Sequence, residues 1–190
     1  MSGEATWGTL RYLLVRPVGR VKLILSKLLI AAVLALASTV LVVVVALLVG
    51  TLLFGWKDAI LVSRYFPFLD TVSAWDGVAR LALASLYFTA CLMFVVALGM
   101  FLSTLTDSTA AAVVGTIVIV VTCGVLLQVP SLEGIRPIVP TKYWTEWLNL
   151  FQPGEPVASE MAKGLLSTAI YTTIFSALAI VRFQRKDILS

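Results

Sequence analysis

The chain has no histidine and only two cysteines, and four stretches of 18 to 27 residues carry no charged side chain at all. The missing histidine removes Ser-His-Asp triads, imidazole metal ligands and the commonest proton shuttle. Cys91 and Cys123 each stand alone inside an apolar block, where a thiol behaves as a small hydrophobe. They imply no disulfide framework and report no redox compartment. No G-x-x-x-x-G-K-[ST] string occurs, so the chain has no loop to cradle ATP. Charged residues make up 13% of the 190 and apolar residues 60%, against roughly 25% and 45–50% in a soluble domain. Such a composition belongs in a membrane.

What is present is organised by those uncharged blocks, Leu28 to Phe54, Leu81 to Thr106, Ser108 to Leu132 and Gly164 to Val181. About 20 helical residues cross a hydrocarbon core of ~30 Å, so all four are long enough, the last only just. The valine run in the first block favours a strand by propensity. Four continuous blocks without inside–outside alternation do not make a membrane barrel, however, and an isolated segment in lipid must pair its amides within itself. The expectation is an all-α membrane protein, one domain over 1–190, with spans at about 28–54, 79–104, 109–130 and 164–182.

A net charge of +4 would suit nucleic acid, but the cations flank the spans, which is the pattern that orients a membrane protein. No nucleic-acid partner is expected. Arg11, Arg16, Arg20, Lys22 and Lys27 precede the first span and Arg182, Arg185 and Lys186 follow the last, eight against six on the opposite side. Both termini are therefore expected in the cytoplasm, with the chain a multi-pass protein of the cell membrane. Asp107 and Ser108 then lie in a short cytoplasmic turn, where a helix N-cap is the simplest role.

Two longer segments fall outside. Residues 55 to 77 read as a loop whose aromatics, among them Trp56 and Trp75, suit the headgroup zone. In residues 133 to 163, prolines bracket a short helix with Trp144, Trp147, Leu148 and Phe151 on one face, expected to lie in the interface. The hydroxyls within the spans, such as Thr89, Thr116 and Thr173, are expected to bond to their own helix or a neighbour. None of the four blocks holds an ionisable group for a proton or ion relay.

The leader has its own pattern. At 100° per residue, Trp7, Leu10, Leu13 and Leu14 share an arc of about 120° while Glu4, Arg11 and Arg16 point elsewhere. Pro17 stops such a helix and Gly19 lets the chain turn toward the bilayer. On the residues alone, an amphipathic helix of this kind serves equally as a lipid anchor or as a docking surface.

The string "EATWGTLRYLLVRPVGRVKLILSK" resembles the segment E-x3-G-T-L-R-x-L-L-x-x-P-V-x-R in permease subunits of ABC-2 type transporters, through Glu4, Gly8, Thr9, Leu10, Arg11, Leu13, Leu14, Pro17, Val18, Arg20 and Lys27. The likeness extends loosely over the turn "STLTDSTAAA" and the closing "RFQRKDI". It implies a cytoplasmic coupling helix over 4–20 that seats in a groove of an ATPase subunit, with Trp7, Leu10 and Leu14 as anchors and Asp107 as a second cytoplasmic contact. ATP and magnesium would belong to that partner, and none to this chain. Two permease subunits, identical or paired, would complete the assembly. Family members usually carry six spans, two of them before this motif, so the chain is expected to lack that first pair. The expected function is export of an amphiphilic or hydrophobic substrate; the alternative is a non-transporting membrane scaffold that recruits a protein or anionic lipid through the same helix. No enzymatic activity is expected, since no acid, base or ligand cluster assembles in the spans.

Overall fold

A computed structural model describes residues 20–62, 69–152 and 157–185. Four helices are long and apolar enough to cross a membrane: α1, Arg20–Phe54; α2, Ala74–Leu105; α3, Thr109–Leu126; and α4, Val157–Arg185. The chain is a mostly helical membrane protein. Between α1 and α2 a short hairpin pairs β1, Ala59–Val62, antiparallel with β2, Leu69–Val72, so that Ala59 faces Val72 and Val62 faces Leu69. Between α3 and α4 run two 3-10 segments, Pro130–Ile138 and Glu146–Phe151.

The helix ends have local causes. Gly55 closes α1 with φ of 76° and donates its amide to the Thr51 carbonyl, the left-handed cap that glycine adopts without a Cβ penalty. Ser73 caps α2 by accepting from the Asp76 amide at 3.2 Å, with the Asp76 charge in the favourable first turn. Only Thr106, Asp107 and Ser108 separate α2 from α3. There Ser108 accepts from the Ala111 amide at 3.3 Å and donates its own amide to Thr106 Oγ1 at 3.1 Å. The capping residue is thus Ser108, and Asp107 is exposed beside it.

Several boundaries differ from the expected spans. Helix α1 begins eight residues earlier than position 28, because Lys22 and Lys27 carry helical backbone as readily as apolar residues do. Helix α3 stops at Leu126, short of 130, since Pro130 lacks an amide hydrogen and opens the 3-10 segment. Helix α4 extends to both sides of 164–182, and Lys163 and Glu160 pair at 2.6 Å in its first turns. The outer stretch expected to be a loop contains the hairpin.

Helix α2 is the hub, packing along α1, α3 and α4. In its most apolar window 39% of residues are buried, against 6% in α1, so α1 attaches to the bundle by one narrow face. Ala84, Tyr87, Cys91, Phe94 and Leu98 form the buried stripe of α2 at spacings of three and four. Phe94 lies at its middle, with Trp144, Tyr171 and Phe175 rings set edge-on at 6.4, 6.0 and 5.9 Å. Such pairs each add about 0.5–1.5 kcal/mol beyond burial. At one end of the bundle Ile24 and Leu28 of α1 meet Phe183 of α4 in a second cluster.

Candidate functional site

Alternating helix directions bring the start of α1, the α2–α3 turn and the end of α4 to the same end of the bundle, where Ile24 and Phe183 touch. Lys22, Lys27, Arg182 and Arg185 therefore gather at one end together with Asp107. The opposite end mixes both signs, with Lys163 paired to Glu160 and Arg136 to Glu133. Of the residues expected to dock a partner, Glu4, Trp7, Gly8, Thr9, Leu10, Arg11, Leu14 and Pro17 lie outside the described residues. Arg20 opens α1 at the end of the bundle that carries the Asp107 turn.

The segment between α3 and α4 is strapped to the helices by side chains that reach its backbone carbonyls. Tyr87 of α2 donates to the Tyr143 carbonyl at 2.7 Å, Arg80 of α2 donates to the Leu150 carbonyl, and Tyr171 of α4 donates to the Ile138 carbonyl. These bonds satisfy acceptors that an irregular segment cannot pair within itself. Gly164 makes the fit possible. A Cβ there would collide with the Tyr87 hydroxyl oxygen and stand 2.9 Å from Tyr143 Cβ, so glycine lets α4 approach α2 under the strap. Sequence reading counts Arg80 only among the six cations on the side opposite the leader, and nothing in one sequence pairs a tyrosine with a carbonyl 56 positions on.

The three aromatics expected on one helical face divide. Trp144 lies just before the second 3-10 segment and packs inward on Phe94. Trp147 and Phe151 stay together, ring edge to face at 6.3 Å. Trp144 precedes the segment Glu146–Phe151, in the turn before it, so no single helical stripe runs from 144 to 151.

The strap also sets a step in the bundle. The uncharged part of α4, Gly164 to Val181, is 18 residues, about 27 Å, and α3 has the same length. The uncharged part of α1 is 27 residues, about 40 Å, and continues past the strap. Above this step α1 and α2 run side by side along an open seam. Its lower part holds an open cavity of ≈ 360 Å³ lined by Val42, Val43, Leu81, Ala84, Phe88 and Trp147.

Hydroxyls line the lower seam, yet their protons are committed. Ser38 donates to the Leu34 carbonyl at 2.8 Å and Ser85 to the Ala82 carbonyl at 2.7 Å. Thr39 and Thr89 meet across the two helices at 2.7 Å, the polar clasp of the seam. Thr89 also bonds back to the Ser85 carbonyl, as Thr116 does to Ala112 and Thr173 to Ala169. These in-span hydroxyls serve helices first, as expected, whereas Thr172 Oγ1 of α4 is buried without a partner.

Residues 1–189 match the family described as protein of unknown function (DUF2705), and the chain belongs to that family. No curated protein and no solved structure matches the chain.

Proposed function

We propose that this member of the family is the permease subunit of an ATP-driven ABC-2 type transporter. It exports an amphiphilic or hydrophobic substrate and is driven by a separate ATPase seated on its N-terminal amphipathic helix. The observation that carries the reading is the motif from Glu4 to Lys27 joined directly to α1, at the end of the bundle where the Asp107 turn also lies. A partner approaching that end meets both elements at once. The clustering of Lys22, Lys27, Arg182 and Arg185 supports reading it as the cytoplasmic end in the cell membrane, with both termini inside. Leu10, Leu14 and Trp7 would supply the buried anchors of the contact, while Arg11 and Arg20 tune register at its rim.

In this orientation the outer segment, with Trp144, Trp147 and Phe151, sits at the outer leaflet over the ends of α3 and α4. The exposed faces of α1 and α3 meet lipid or a second permease subunit, whether identical or related. ATP and magnesium are held by the partner.

The test is co-expression with a P-loop ATPase encoded beside the gene, followed by purification of either protein through a tag on the other. We expect a stable complex whose ATP hydrolysis falls to the level of the isolated ATPase when Leu10→Asp and Leu14→Asp are combined, with the amount of inserted chain unchanged. Failure of the ATPase to co-purify would remove the transporter reading. Specific capture of a non-ATPase protein through the same leader would establish the scaffold in its place.

A further inference from the structure

The seam between α1 and α2 continues outward from its lower cavity. A second cavity of ≈ 170 Å³ shares Leu81 with the first and runs between Ala46, Leu47, Gly50 and Thr51 of α1 and Gly77 and Val78 of α2. It ends at Trp56 and Lys57. From Ser38 to Thr51 the groove extends roughly 20 Å along the helix axis. No charged side chain lines it over that distance among the described residues, and Thr51, like Ser38 and Ser85, spends its hydroxyl proton on its own helix, on the Leu48 carbonyl at 3.0 Å. The long wall therefore offers a ligand neither charge nor free donor. At the outer mouth the chemistry changes abruptly. Lys57 is exposed there, and the Trp56 and Trp75 rings meet at 5.3 Å beside it. Asp58 and Asp76 are near in sequence, but both are exposed and neither lines the cavity.

We infer that this seam is a binding site for a membrane amphiphile with a single hydrocarbon chain and an anionic headgroup, the chain lying between α1 and α2 and the head at Lys57. Charge decides the occupant. An uncharged groove lined mainly by aliphatic and aromatic carbon suits a methylene chain and penalises any buried ion or unpaired polar group. An ammonium at the mouth, flanked by indoles of the kind enriched at headgroup level, selects a negative head over a neutral one. Leu52, Leu53 and Phe54, each more than 70% exposed beside the mouth, keep that end in apolar surroundings, so the chain enters sideways from the outer leaflet. The site deepens the transport reading, on which its use as a loading or release position rests.

The experiment uses the full chain without any ATPase, in nanodiscs of dioleoylphosphatidylcholine. The probe is a lysophosphatidylglycerol with a diazirine at mid-chain; after photolysis the labelled residues are mapped by mass spectrometry. Saturable labelling is expected on Val42, Val43, Ala84 and Phe88, with competition by unlabelled lysophosphatidylglycerol stronger than by lysophosphatidylcholine of the same chain. Lys57→Glu should raise the half-saturating concentration roughly two- to fivefold, the range of one exposed ion pair. Ser38→Phe with Val42→Trp, both placed on exposed positions of α1 so that folding is spared, should abolish the saturable component. Labelling spread over the exposed α1 face without saturation would overturn the site in favour of bulk lipid. Equal competition by the two lipids would overturn the anionic head, and crosslinks joining two chains across the seam would show that a second copy fills it. Because no ATPase is present, saturable labelling survives a failure of co-purification, and loss of labelling leaves the ATPase complex untouched.

Discussion

Helices α1 and α4 run in opposite directions through the same bundle, and their uncharged lengths differ by nine residues. In α4 the apolar run ends at Gly164, where the Tyr87–Tyr143 strap presses on the helix, and the turns beyond carry Glu160 and Lys163. Among the described residues, no comparable strap crosses α1. Its apolar run continues to Phe54, and only 6% of its central window is buried. The difference teaches that outer boundaries in this fold are set by where the irregular segment is tied down, and hydropathy follows. Where the segment is tied, polar residues return early. Where it is absent, the helix stays apolar, and a seam opens against α2.

The comparison can be broken most severely at the contact that creates it. Gly164→Leu places a branched side chain into the Tyr87 hydroxyl and Tyr143 Cβ, and a loss of about 3 kcal/mol or more is expected from overpacking. Thermal unfolding of the purified protein in detergent would register it, whereas the same change at Gly124, which has open space around it, should have little effect. A smaller effect is expected from Tyr87→Phe. The Tyr143 carbonyl then loses its donor, at about 1–3 kcal/mol, and protease access to the outer segment should rise before the helices unfold. Least costly is the seam clasp. A double-mutant cycle of Thr39→Val and Thr89→Val should give a coupling near 0.6 kcal/mol, the average for such bonds within membranes, measured as the non-additive part of the shift in unfolding.

The spans were readable because four long stretches without charge have few alternatives, and each became a helix. Ends were harder. Lys22 and Lys27 mark a boundary in hydropathy but not in backbone, so α1 starts well before its apolar block. The hairpin escaped notice because "AILV" has no alternation and no Asn-Gly or Asp-Gly joins it to "LDTV", which leaves no local register signal. Between α3 and α4, Pro137 and Pro140 announced irregular backbone, yet Trp144 and Trp147 were placed on one continuous helix, which the turn before Glu146 interrupts. The seam was invisible in principle. Thr39 and Thr89 are 50 positions apart, and only the antiparallel packing of α1 on α2 makes them neighbours. The residues from Glu4 to Pro17 expected to dock a partner fall outside the described residues, so their pattern stands on sequence alone.

Both the docking leader and the seam depend on which end of the bundle faces the cell interior. The direct measurement is labelling of intact cells with a membrane-impermeant maleimide, in a background with Cys91→Ala and Cys123→Ala, using single Lys22→Cys, Arg182→Cys and Lys57→Cys variants. The account predicts that Lys57→Cys is labelled from outside while Lys22→Cys and Arg182→Cys react only after the cells are opened. Labelling of Lys22→Cys or Arg182→Cys in sealed cells, with Lys57→Cys protected, would contradict it.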